Sequence, residues 1–507
     1  MAGAVYQRIE NWREDPTGIA LGGIILLGAA LRTYRLDSEA MWLDEVATIR
    51  EGAGRSFVGV LVDLPLDDPH PPLYYLIVHV WTRIFGYGPV SLRSISVLAG
   101  VAAIPIVYLF ARTVFDRRTG LIAGVLTAVS PFYIQYAQEA RMYALFLLLT
   151  VTSMYLFVLL GRSGSHRTVG GYVVVAVLLA VTHVYGLFIL LAQNIVWATY
   201  LATDRRPTFW SPPRRWLLAQ MIVGLLLLPW IGVLVYRALS GGSPGWLPIP
   251  GWDLLRATWL QFLAGPVQPP FDPGIMAAAS LALIGLALVN LAGLHDATAR
   301  LVREEDLDVL YLLAAWAFVP IAVGYLISHT LSPIYWPRYA IGASLGLLLL
   351  IARGIAVLPR PELRWLLIGL VVATLFVPLG TYYEETQKQQ FDQVVADIEA
   401  EATDDDIVLI TDSYMIHPYL YYAVPHAVYV DQLADARDAT TVPTTSVSDT
   451  ADADTVRAEI QDAERVYLVV AHADHQQVER IRGVIAGSYF ERGQRHYRGV
   501  QVYVYER

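Results

Sequence analysis

The sequence predicts a polytopic α-helical membrane protein with a soluble α/β domain at its C-terminal end. Of its 507 residues, 55% are hydrophobic and 16% are charged, whereas soluble domains carry about 25% charged residues. Apolar segments long enough to cross about 30 Å of hydrocarbon recur from residue 17 to residue 381. Beyond this point, strand-like runs alternate with helical ones, which is typical of a layered α/β domain. We therefore expect a membrane domain over residues 1–381 and an acidic α/β domain over residues 382–507.

The apolar pattern predicts eleven transmembrane helices. Arginines and acids precede the first apolar run and no small-residue cleavage site follows it, so we expect a retained anchor rather than a cleaved signal peptide. The predicted spans are 17–33, 93–111, 119–134, 142–160, 171–183, 186–203, 216–236, 274–294, 309–328, 339–357 and 364–381.

Arginines concentrate in alternate connecting loops, which predicts the orientation of the spans. The positive-inside rule places such loops in the cytoplasm. With eleven spans, all of these loops share the side of the N-terminus. We therefore expect a multi-pass protein of the cell (cytoplasmic) membrane, with a cytoplasmic N-terminus and an extracytoplasmic C-terminal domain. The arginines concerned are Arg112, Arg117, Arg118, Arg162, Arg167, Arg205, Arg206, Arg214, Arg215, Arg300, Arg303, Arg353, Arg360 and Arg364.

Residues 73–85 form an apolar segment that is too short to be a comfortable span. Counting this segment as a span would also move the later arginine loops to the outer side. We therefore expect it to be a helix lying along the membrane interface, within a first external loop of residues 34–92. His79 and Arg83, one helical turn apart, are expected on its wetter face.

The C-terminal domain combines an α/β pattern with strong acidity. From Thr381 onward there are 23 Asp or Glu against 10 Lys or Arg, and Lys388 is the only lysine of the chain. Such a surface is typical of proteins from salt-loving archaea, although a high-GC genome also replaces lysine by arginine. Residues 439–455 are rich in Thr, Ser and Asp, and we expect a loop or a disordered insert there. Helices are predicted at 391–400, 456–463 and 477–486, and strands at 407–410, 466–470 and 497–505.

Charged side chains on the predicted outer face form the candidate site. Asp44 and Glu45 lie in the first external loop, and Arg338 departs from the positive-inside pattern. Carboxylates at a membrane edge usually serve an ion, a proton or a substrate. Arginine binds phosphate in a bidentate manner, and a carboxylate can take the proton of an attacking hydroxyl. The structural alternatives are a solvated acidic loop for Asp44 and Glu45, a turn for His70, an ion-paired cap for Glu139 and Arg141, and an anchor for Arg338.

The order of several motifs resembles the GT-C membrane glycosyltransferases. The nearest groups are the protein O-mannosyltransferases, the aminoarabinose transferases and their archaeal relatives. The resemblance covers about residues 15–380 and is strongest over residues 40–145. The motifs are Trp42-Leu43-Asp44-Glu45, His70-Pro71-Pro72-Leu73-Tyr74-Tyr75, Leu92-Arg93, Gln138-Glu139-Ala140-Arg141-Met142-Tyr143-Ala144-Leu145 and Arg338-Tyr339.

This resemblance implies a polyprenyl- or dolichyl-phosphate-linked sugar donor, transfer on the outer face of the membrane and inversion at the anomeric carbon. The acceptor would be a hydroxyl of a protein, a lipid-linked glycan or a lipid. Membrane lipids are expected as further partners, and nucleic acid is not. Asp44 matches the family's first-loop aspartate, the catalytic base, with Glu45 as its partner. The substrate-binding residues implied are His70, Tyr74, Glu139, Arg141, Tyr143, Arg338 and Tyr339.

Two points stay open within the resemblance. Metal use varies among these enzymes, so a divalent cation is left open as a cofactor and no other cofactor is expected. Some relatives carry a lysine where this chain has His70, so the contact of His70 with phosphate and its protonation state are undecided. The chain has no cysteine, which excludes disulfides and thiolate metal sites.

Two other classes of function fit a polytopic protein with an acidic tail. A proton- or cation-coupled transporter or a lipid flippase would use the carboxylates as an ion site. Such proteins usually carry intramembrane charges and paired repeat halves, and neither is clear in this sequence. A receptor or assembly protein would use the acidic domain and need the membrane region only as an anchor, for which eleven spans are excessive.

Overall fold

The computed structural model describes residues 16–68, 70–163, 165–203, 210–240, 247–265, 272–291, 304–431, 436–437, 439–448 and 451–507. The chain divides into two compact units. The first unit comprises residues 1–34, 61–74 and 94–384, and the second comprises residues 35–60, 75–93 and 385–507. The second unit therefore contains two segments of the first loop as well as the C-terminal stretch. The predicted boundary at residue 381 places the whole first loop with the membrane domain, whereas two segments of that loop belong to the second unit.

The described part of residues 16–384 is helical, with a 3₁₀ turn at Pro337–Ala340. In chain order the helices are α1 (Pro16–Thr33), α2 (Leu43–Gly52), α3 (Phe57–Val62), α4 (Leu64–Asp67), α5 (Leu73–Phe85), α6 (Pro89–Val114), α7 (Arg117–Val129), α8 (Pro131–Ala137), α9 (Tyr143–Ser163), α10 (His166–Ala180), α11 (Tyr185–Ala202), α12 (Pro213–Leu239), α13 (Trp252–Ala264), α14 (Pro273–Leu291), α15 (Glu304–Thr330), α16 (Ile341–Ala356) and α17 (Pro361–Glu384).

Each predicted span falls on one of these helices, except that residues 119–134 fall on the bent pair α7–α8, and this confirms the polytopic helical class. Among the described residues, seven helices are long and apolar enough to cross a membrane, and the bent pair α7–α8 makes an eighth candidate. The helices α1, α10 and α14 are shorter, so a count of eleven crossings stays a prediction. Residues 73–85, predicted as a separate short helix, form α5.

The bend between α7 and α8 follows from the sequence Ser130-Pro131. Proline has no N–H, and its ring collides with the carbonyl one turn before it, so a straight helix cannot continue. Ser130 takes an extended conformation, and its Oγ accepts the N–H of the third residue after it at 3.4 Å. The buried Arg32 guanidinium donates to the carbonyls released by the bend, those of Thr127 and Ala128, at 2.9 Å each. The two helices meet at 57°, so the polar turn that follows α8 departs from the direction of α7.

The second unit contains a five-stranded sheet with the strand order β2-β1-β3-β5-β4. β1 pairs in parallel with β2 and β3, whereas β5 is antiparallel to both β3 and β4. The core is formed by apolar side chains of the strands and of flanking helices, including Leu409, Val466, Leu468, Ile481 and Ile485. The elements are α18 (Phe391–Glu399), β1 (Ile407–Thr411), α19 (Ile416–Ala423), α20 (His426–Asp431), β2 (Thr444–Val447), α21 (Ala453–Ile460), β3 (Arg465–Val470), α22 (His475–Ile485), β4 (Phe490–Tyr497) and β5 (Val500–Glu506).

The predicted α/β class of this region is confirmed, and two of its strands were not predicted. β2 lies within residues 439–455, so the expectation of a loop throughout that stretch is wrong. Its Thr-Thr-Ser-Val sequence has the composition of a loop, although its β-branched residues suit an edge strand. β4 is polar and mostly exposed at the opposite edge, and it therefore lacks an apolar alternation that a sequence pattern could detect.

The first-loop segments pack within the second unit. Met41 is fully buried, and its N–H donates to the Tyr422 hydroxyl of α19 at 2.6 Å. His79 is also buried, with its Nδ1 3.0 Å from the carbonyl oxygen of Gly52 in α2. The expectation that His79 lies on the wetter face of α5 is therefore wrong, because its ring is used to join α5 to α2. Arg83 is exposed, as expected.

Candidate active site

The Trp42-Leu43-Asp44-Glu45 motif forms the beginning of α2 in the second unit. Trp42 is the residue before the helix and has an extended conformation, and both acids lie in the first helical turn. Carboxylates are favoured at this end of a helix because the first N–H groups and the helix dipole present positive charge there. Asp44 is partly buried and Glu45 is fully buried. The adjacent acids therefore have different environments.

The Glu45 carboxylate is held by two cations. Arg93 donates from Nε to Oε1 and from Nη2 to Oε2, both at 2.9 Å. Lys388 donates from Nζ to Oε2 at 2.9 Å. The other N–H groups of Arg93 donate at 2.8–3.0 Å to backbone carbonyls that precede the motif, those of Leu36, Glu39 and Ala40. All five donors of the Arg93 guanidinium are thus engaged, and the chain on either side of Trp42 is fixed to it.

The Glu39 side chain adds a second connection to the C-terminal segment. Its carboxylate accepts the backbone N–H groups of Gln387, at 2.9 Å, and Lys388, at 2.9 Å. Lys388 is therefore held by its backbone as well as by its ammonium group. The only lysine of the chain lies in this charged cluster, which we call the Glu45 cluster (Glu39, Glu45, Arg93 and Lys388).

In the first unit, His70 lies between a carboxylate and a guanidinium. His70 Nδ1 is 2.6 Å from Asp68 Oδ1, and His70 Nε2 is 3.2 Å from Arg141 Nη2. Arginine can only donate, so Nε2 accepts and the ring proton is on Nδ1, which donates to Asp68. Burial acts to raise the pKa of Asp68, but its interactions with His70 and Arg141 lower that pKa to about 2. The carboxylate is therefore ionised and orients the ring toward Arg141.

Tyr74 supports the backbone of the same arginine. Its hydroxyl is 3.0 Å from Ser96 Oγ, and Ser96 Oγ in turn donates to the Arg141 carbonyl at 3.0 Å. Tyr74, Ser96 and Arg141 are all buried. Tyr74 thus contributes to the position of Arg141 through one intervening hydroxyl.

Arg338 lies against two tyrosine rings. Its guanidinium carbon is 5.7 Å from the centre of the Tyr143 ring and 5.8 Å from that of Tyr339. The two rings stack on each other with their centres 6.3 Å apart. Contacts of this kind are attractive and leave the positive charge of the guanidinium intact. Arg338 belongs to the 3₁₀ turn that begins with Pro337, which presents it at the start of α16.

His183 completes this aromatic group in the turn between α10 and α11. Its ring centre is 5.2 Å from that of Tyr339 and 6.1 Å from that of Tyr143. Burial, reinforced by the nearby charges of His70, Arg141 and Arg338, lowers the pKa of His183 well below its ordinary value. The imidazole is therefore neutral.

Glu139 occupies the turn between α8 and α9 and is almost fully buried. Its Oε1 accepts a hydrogen bond from Gln135 Nε2 at 3.3 Å, one turn earlier in the chain. A buried carboxylate in the same turn as Arg141 suits a role in positioning that turn.

The structure therefore brings seven of the nine predicted site residues into the first unit, and Asp44 and Glu45 into the second. Asp68 and His183 were not predicted as site residues. A signal for Asp68 was available, because its position two residues before His70 suits a carboxylate that orients an imidazole. His183 packs against the rings of Tyr143 and Tyr339. Across the described residues, no cluster of three or more His, Asp or Glu side chains has an arrangement that could hold a metal ion.

Comparison with known proteins gives a match to one family model over part of the chain, and a fold. Residues 69–232 match the family model of dolichyl-phosphate-mannose-protein mannosyltransferase. The structure of the archaeal oligosaccharyltransferase AglB from Archaeoglobus fulgidus, in complex with an inhibitory peptide and a dolichol-phosphate, matches with a TM-score of 0.52 and 13% identity. The match covers 97% of this chain and 74% of AglB. A search of curated protein sequences gave no match.

ArnT from Cupriavidus metallidurans matches in two states. The apo structure gives a TM-score of 0.46 and 14% identity, covering 96% of this chain and 98% of ArnT. The structure bound to undecaprenyl phosphate gives 0.44 and 13%, covering 97% and 98%. The family match and the AglB similarity confirm the resemblance seen in the motifs: this chain has the fold of the GT-C superfamily of membrane glycosyltransferases.

Proposed function

We propose that this protein is a glycosyltransferase that moves one sugar from a polyprenyl- or dolichyl-phosphate carrier to an acceptor hydroxyl on the outer face of the membrane. The observation that carries the proposal is the grouping of Arg141 and Arg338 in the first unit: His70 contacts Arg141, and Tyr143, two residues after Arg141, contacts Arg338. A site rich in guanidinium groups suits a phosphate that gains charge as the reaction proceeds.

The phosphate end of the donor is assigned to Arg141 and Arg338. Arg141 is oriented by His70 and through its backbone by Ser96, so its guanidinium is placed before substrate arrives. Arg338 is held by tyrosine rings, which fix its plane without cancelling its charge. Guanidinium groups fixed in this way stabilise a departing phosphate without a cost of reorganisation.

The proton-accepting step is assigned to Asp44. The acceptor hydroxyl oxygen attacks the anomeric carbon and forms the new glycosidic bond, while the bond between that carbon and the phosphate oxygen breaks. The hydroxyl proton passes to Asp44. The carrier leaves as polyprenyl phosphate with the bonding electron pair, and attack from the opposite face inverts the anomeric carbon.

Glu45 is assigned a positioning role instead of a second catalytic one. Its carboxylate is committed to Arg93 and Lys388 inside the Glu45 cluster. An acid paired in this way is a poor proton acceptor, because protonation would leave two buried cations without their partner. Its function is to fix the first turn of α2, and with it Asp44.

The comparisons support the class of donor. The family description over residues 69–232 names dolichyl-phosphate-mannose, and AglB is described with dolichol-phosphate and a peptide. We propose the same class of lipid carrier for this chain, and we do not assign the sugar. The candidate sugars are hexoses and pentoses, and the candidate acceptors are hydroxyl groups of proteins, lipid-linked glycans and lipids. The outer-face location, a cytoplasmic N-terminus, the cytoplasmic membrane and an archaeal, high-salt setting belong to the same proposal.

The test is donor turnover by the purified full-length protein. Wild type is incubated with a panel of polyprenyl-phosphate hexoses and pentoses and a mixture of hydroxyl acceptors, and free polyprenyl phosphate is quantified. One donor is expected to release its carrier together with stoichiometric glycosylation of an acceptor. If no donor releases its carrier while the protein moves intact lipid-linked sugar across liposome membranes, the protein is a flippase and the proposal is wrong.

A further inference from the structure

A cavity with a cationic end lies in the first unit, and its lining is distinct from the candidate active site. It has a volume of about 700 Å³ and is bounded by α1, the beginning of α7 and the beginning of α17. Three of its lining residues are arginines: Arg117, Arg118 and Arg364. None of the residues assigned to the donor or to the acceptor lines it.

The cavity has an excess of positive charge. Its lining includes one carboxylate, that of Asp116. Asp116 Oδ2 accepts from Arg353 Nη1 at 2.6 Å, and its Oδ1 accepts the N–H of Thr119 at 2.8 Å as the cap of α7. This one carboxylate is also paired with Arg353, and it faces three guanidinium groups in the lining. A bound group should therefore be an anion.

The rest of the wall is apolar and belongs to long hydrophobic helices. Ile24 of α1, Leu121 and Val125 of α7, and Ile368 of α17 line it. Trp365 is 73% exposed and follows Arg364 directly in the first turns of α17. Tryptophan beside arginine at the end of an apolar helix is typical of the headgroup region of a membrane. The cavity thus joins a cationic end to an apolar wall, which suits an amphiphile better than a free anion.

The geometry points to a binding site for an anionic phospholipid, with its headgroup phosphate between Arg117, Arg118 and Arg364 and its hydrocarbon chains along the apolar wall. Basic pockets between transmembrane helices on the cytoplasmic side bind such headgroups. The arginines of this cavity belong to loops that the positive-inside pattern assigns to that side. The site is separate from the donor site, so the lipid would be a structural partner and not a substrate.

Arginine is common in cytoplasmic loops, so its presence alone does not make a lipid site. The chain contains a second pair of adjacent arginines that serves as a matched control. Arg214 and Arg215 are also adjacent, exposed and in the first turn of a long apolar helix, α12. They do not line this cavity. A surface that attracts anionic lipid only by net charge would respond equally to the loss of either pair.

The experiment counts and locates bound lipid on the detergent-purified full-length protein. Native mass spectrometry measures retention of phosphatidylglycerol by wild type, by R117Q/R118Q and by R214Q/R215Q. Wild type and R214Q/R215Q are expected to retain one lipid with equal affinity. R117Q/R118Q should bind it about 25-fold more weakly, from about fivefold for each arginine. Equal loss in the two double variants, or equal retention of phosphatidylcholine, would overturn the proposal.

Location and ligand source are tested separately. Phosphatidylglycerol with brominated acyl chains should quench the fluorescence of Trp365. This quenched component should be missing from the Trp365→Phe variant. Trp365 is exposed, so this variant should fold normally. Quenching that is unchanged in Trp365→Phe places the lipid elsewhere and contradicts the site. Competition of the bound lipid by inorganic phosphate alone, or preferential retention of polyprenyl phosphate, would assign the cavity to a free anion or to the carrier instead of a phospholipid.

Discussion

Arg93 of the second unit and Arg141 of the first are both almost completely buried, and their surroundings differ in kind. Arg93 gives every one of its donors to protein acceptors, two of them on the Glu45 carboxylate. Arg141 contacts the imidazole of His70, and Arg338 contacts the faces of tyrosine rings. Carboxylate and carbonyl oxygens thus orient Arg93, whereas imidazole and tyrosine rings take part in orienting Arg141 and Arg338.

This difference distinguishes arginines that stabilise the fold from arginines that we propose bind a ligand. A guanidinium matched to a carboxylate and to carbonyls is compensated within the fold, so its loss should mainly reduce stability. We propose that the guanidinium groups of Arg141 and Arg338, which contact rings, also bind the phosphate of the donor. We expect substitutions in the Glu45 cluster to change the free energy of unfolding, and substitutions around Arg141 and Arg338 to change transfer.

The largest effect on stability is expected for Glu45→Gln. The amide removes the charge that compensates both Arg93 and Lys388, and breaking a buried pair in this way typically costs about 3–5 kcal/mol. Thermal and denaturant unfolding in detergent measure it. Glu385→Gln, an exposed acid close to Lys388 in the chain, is the control and should be neutral. Equal stability of the two variants would show that the Glu45 cluster is not a structural device.

Arg338→Gln should leave unfolding nearly unchanged and reduce transfer about 100- to 1000-fold, the usual effect of removing a group that stabilises developing charge. The measurement is release of polyprenyl phosphate under saturating donor. Arg256→Gln, an exposed arginine of α13, controls for the lost charge. Arg338→Lys should recover only part of the activity, because an ammonium lacks the planar pair of donors. Full activity of Arg338→Gln would remove Arg338 from the phosphate site.

Stability of the second unit should also depend on pH through His417. Burial, with Arg50 and Arg437 nearby, lowers the pKa of His417 from 6.5 to about 4. Between those values the unfolded chain binds a proton that the folded chain does not, so stability falls as the pH falls from about 6.5 to about 4. The linkage amounts to about 2–3 kcal/mol. His417→Gln should flatten this part of the profile and the exposed His496→Gln should not; parallel profiles for all three proteins would contradict the assignment.

The smallest effect is expected for Asp68→Asn. Without the carboxylate, the His70 ring loses the partner that sets its tautomer, and Arg141 is placed less accurately. We expect KM for the donor to rise about tenfold with little change in kcat, because misplacement of a binding group mainly weakens positioning. Asp67→Asn is the matched control, one residue earlier and exposed. An unchanged KM would separate His70 from donor binding.

Membrane solvation explains why the helical architecture could be predicted and several contacts could not. In hydrocarbon every backbone polar group must be satisfied locally, so an apolar run of sufficient length is already a helix. The edge strands β2 and β4 carry no such signal, because their side chains are polar and their partners are distant. Within the site, residue types identified Asp44, His70, Arg141 and Arg338 as chemically suitable.

The partners of those residues depend on the folded chain. Glu45 pairs with Arg93, 48 positions later, and with Lys388, 343 positions later. No spacing rule links residues so far apart, which is why Glu45 was predicted as a catalytic partner of Asp44 and its pairing was missed. The same holds for His79, whose contact with Gly52 depends on how α5 and α2 pack.

The measurement that tests the proposed mechanism most directly is transfer by Asp44→Asn beside wild type, with donor binding measured on the same preparations. Asparagine keeps the size of the side chain and removes its ability to accept the proton, so turnover should fall about 100- to 10,000-fold while donor affinity and the melting temperature stay close to those of wild type. A folded Asp44→Asn protein that releases polyprenyl phosphate at the wild-type rate would contradict the assignment of Asp44 as the base.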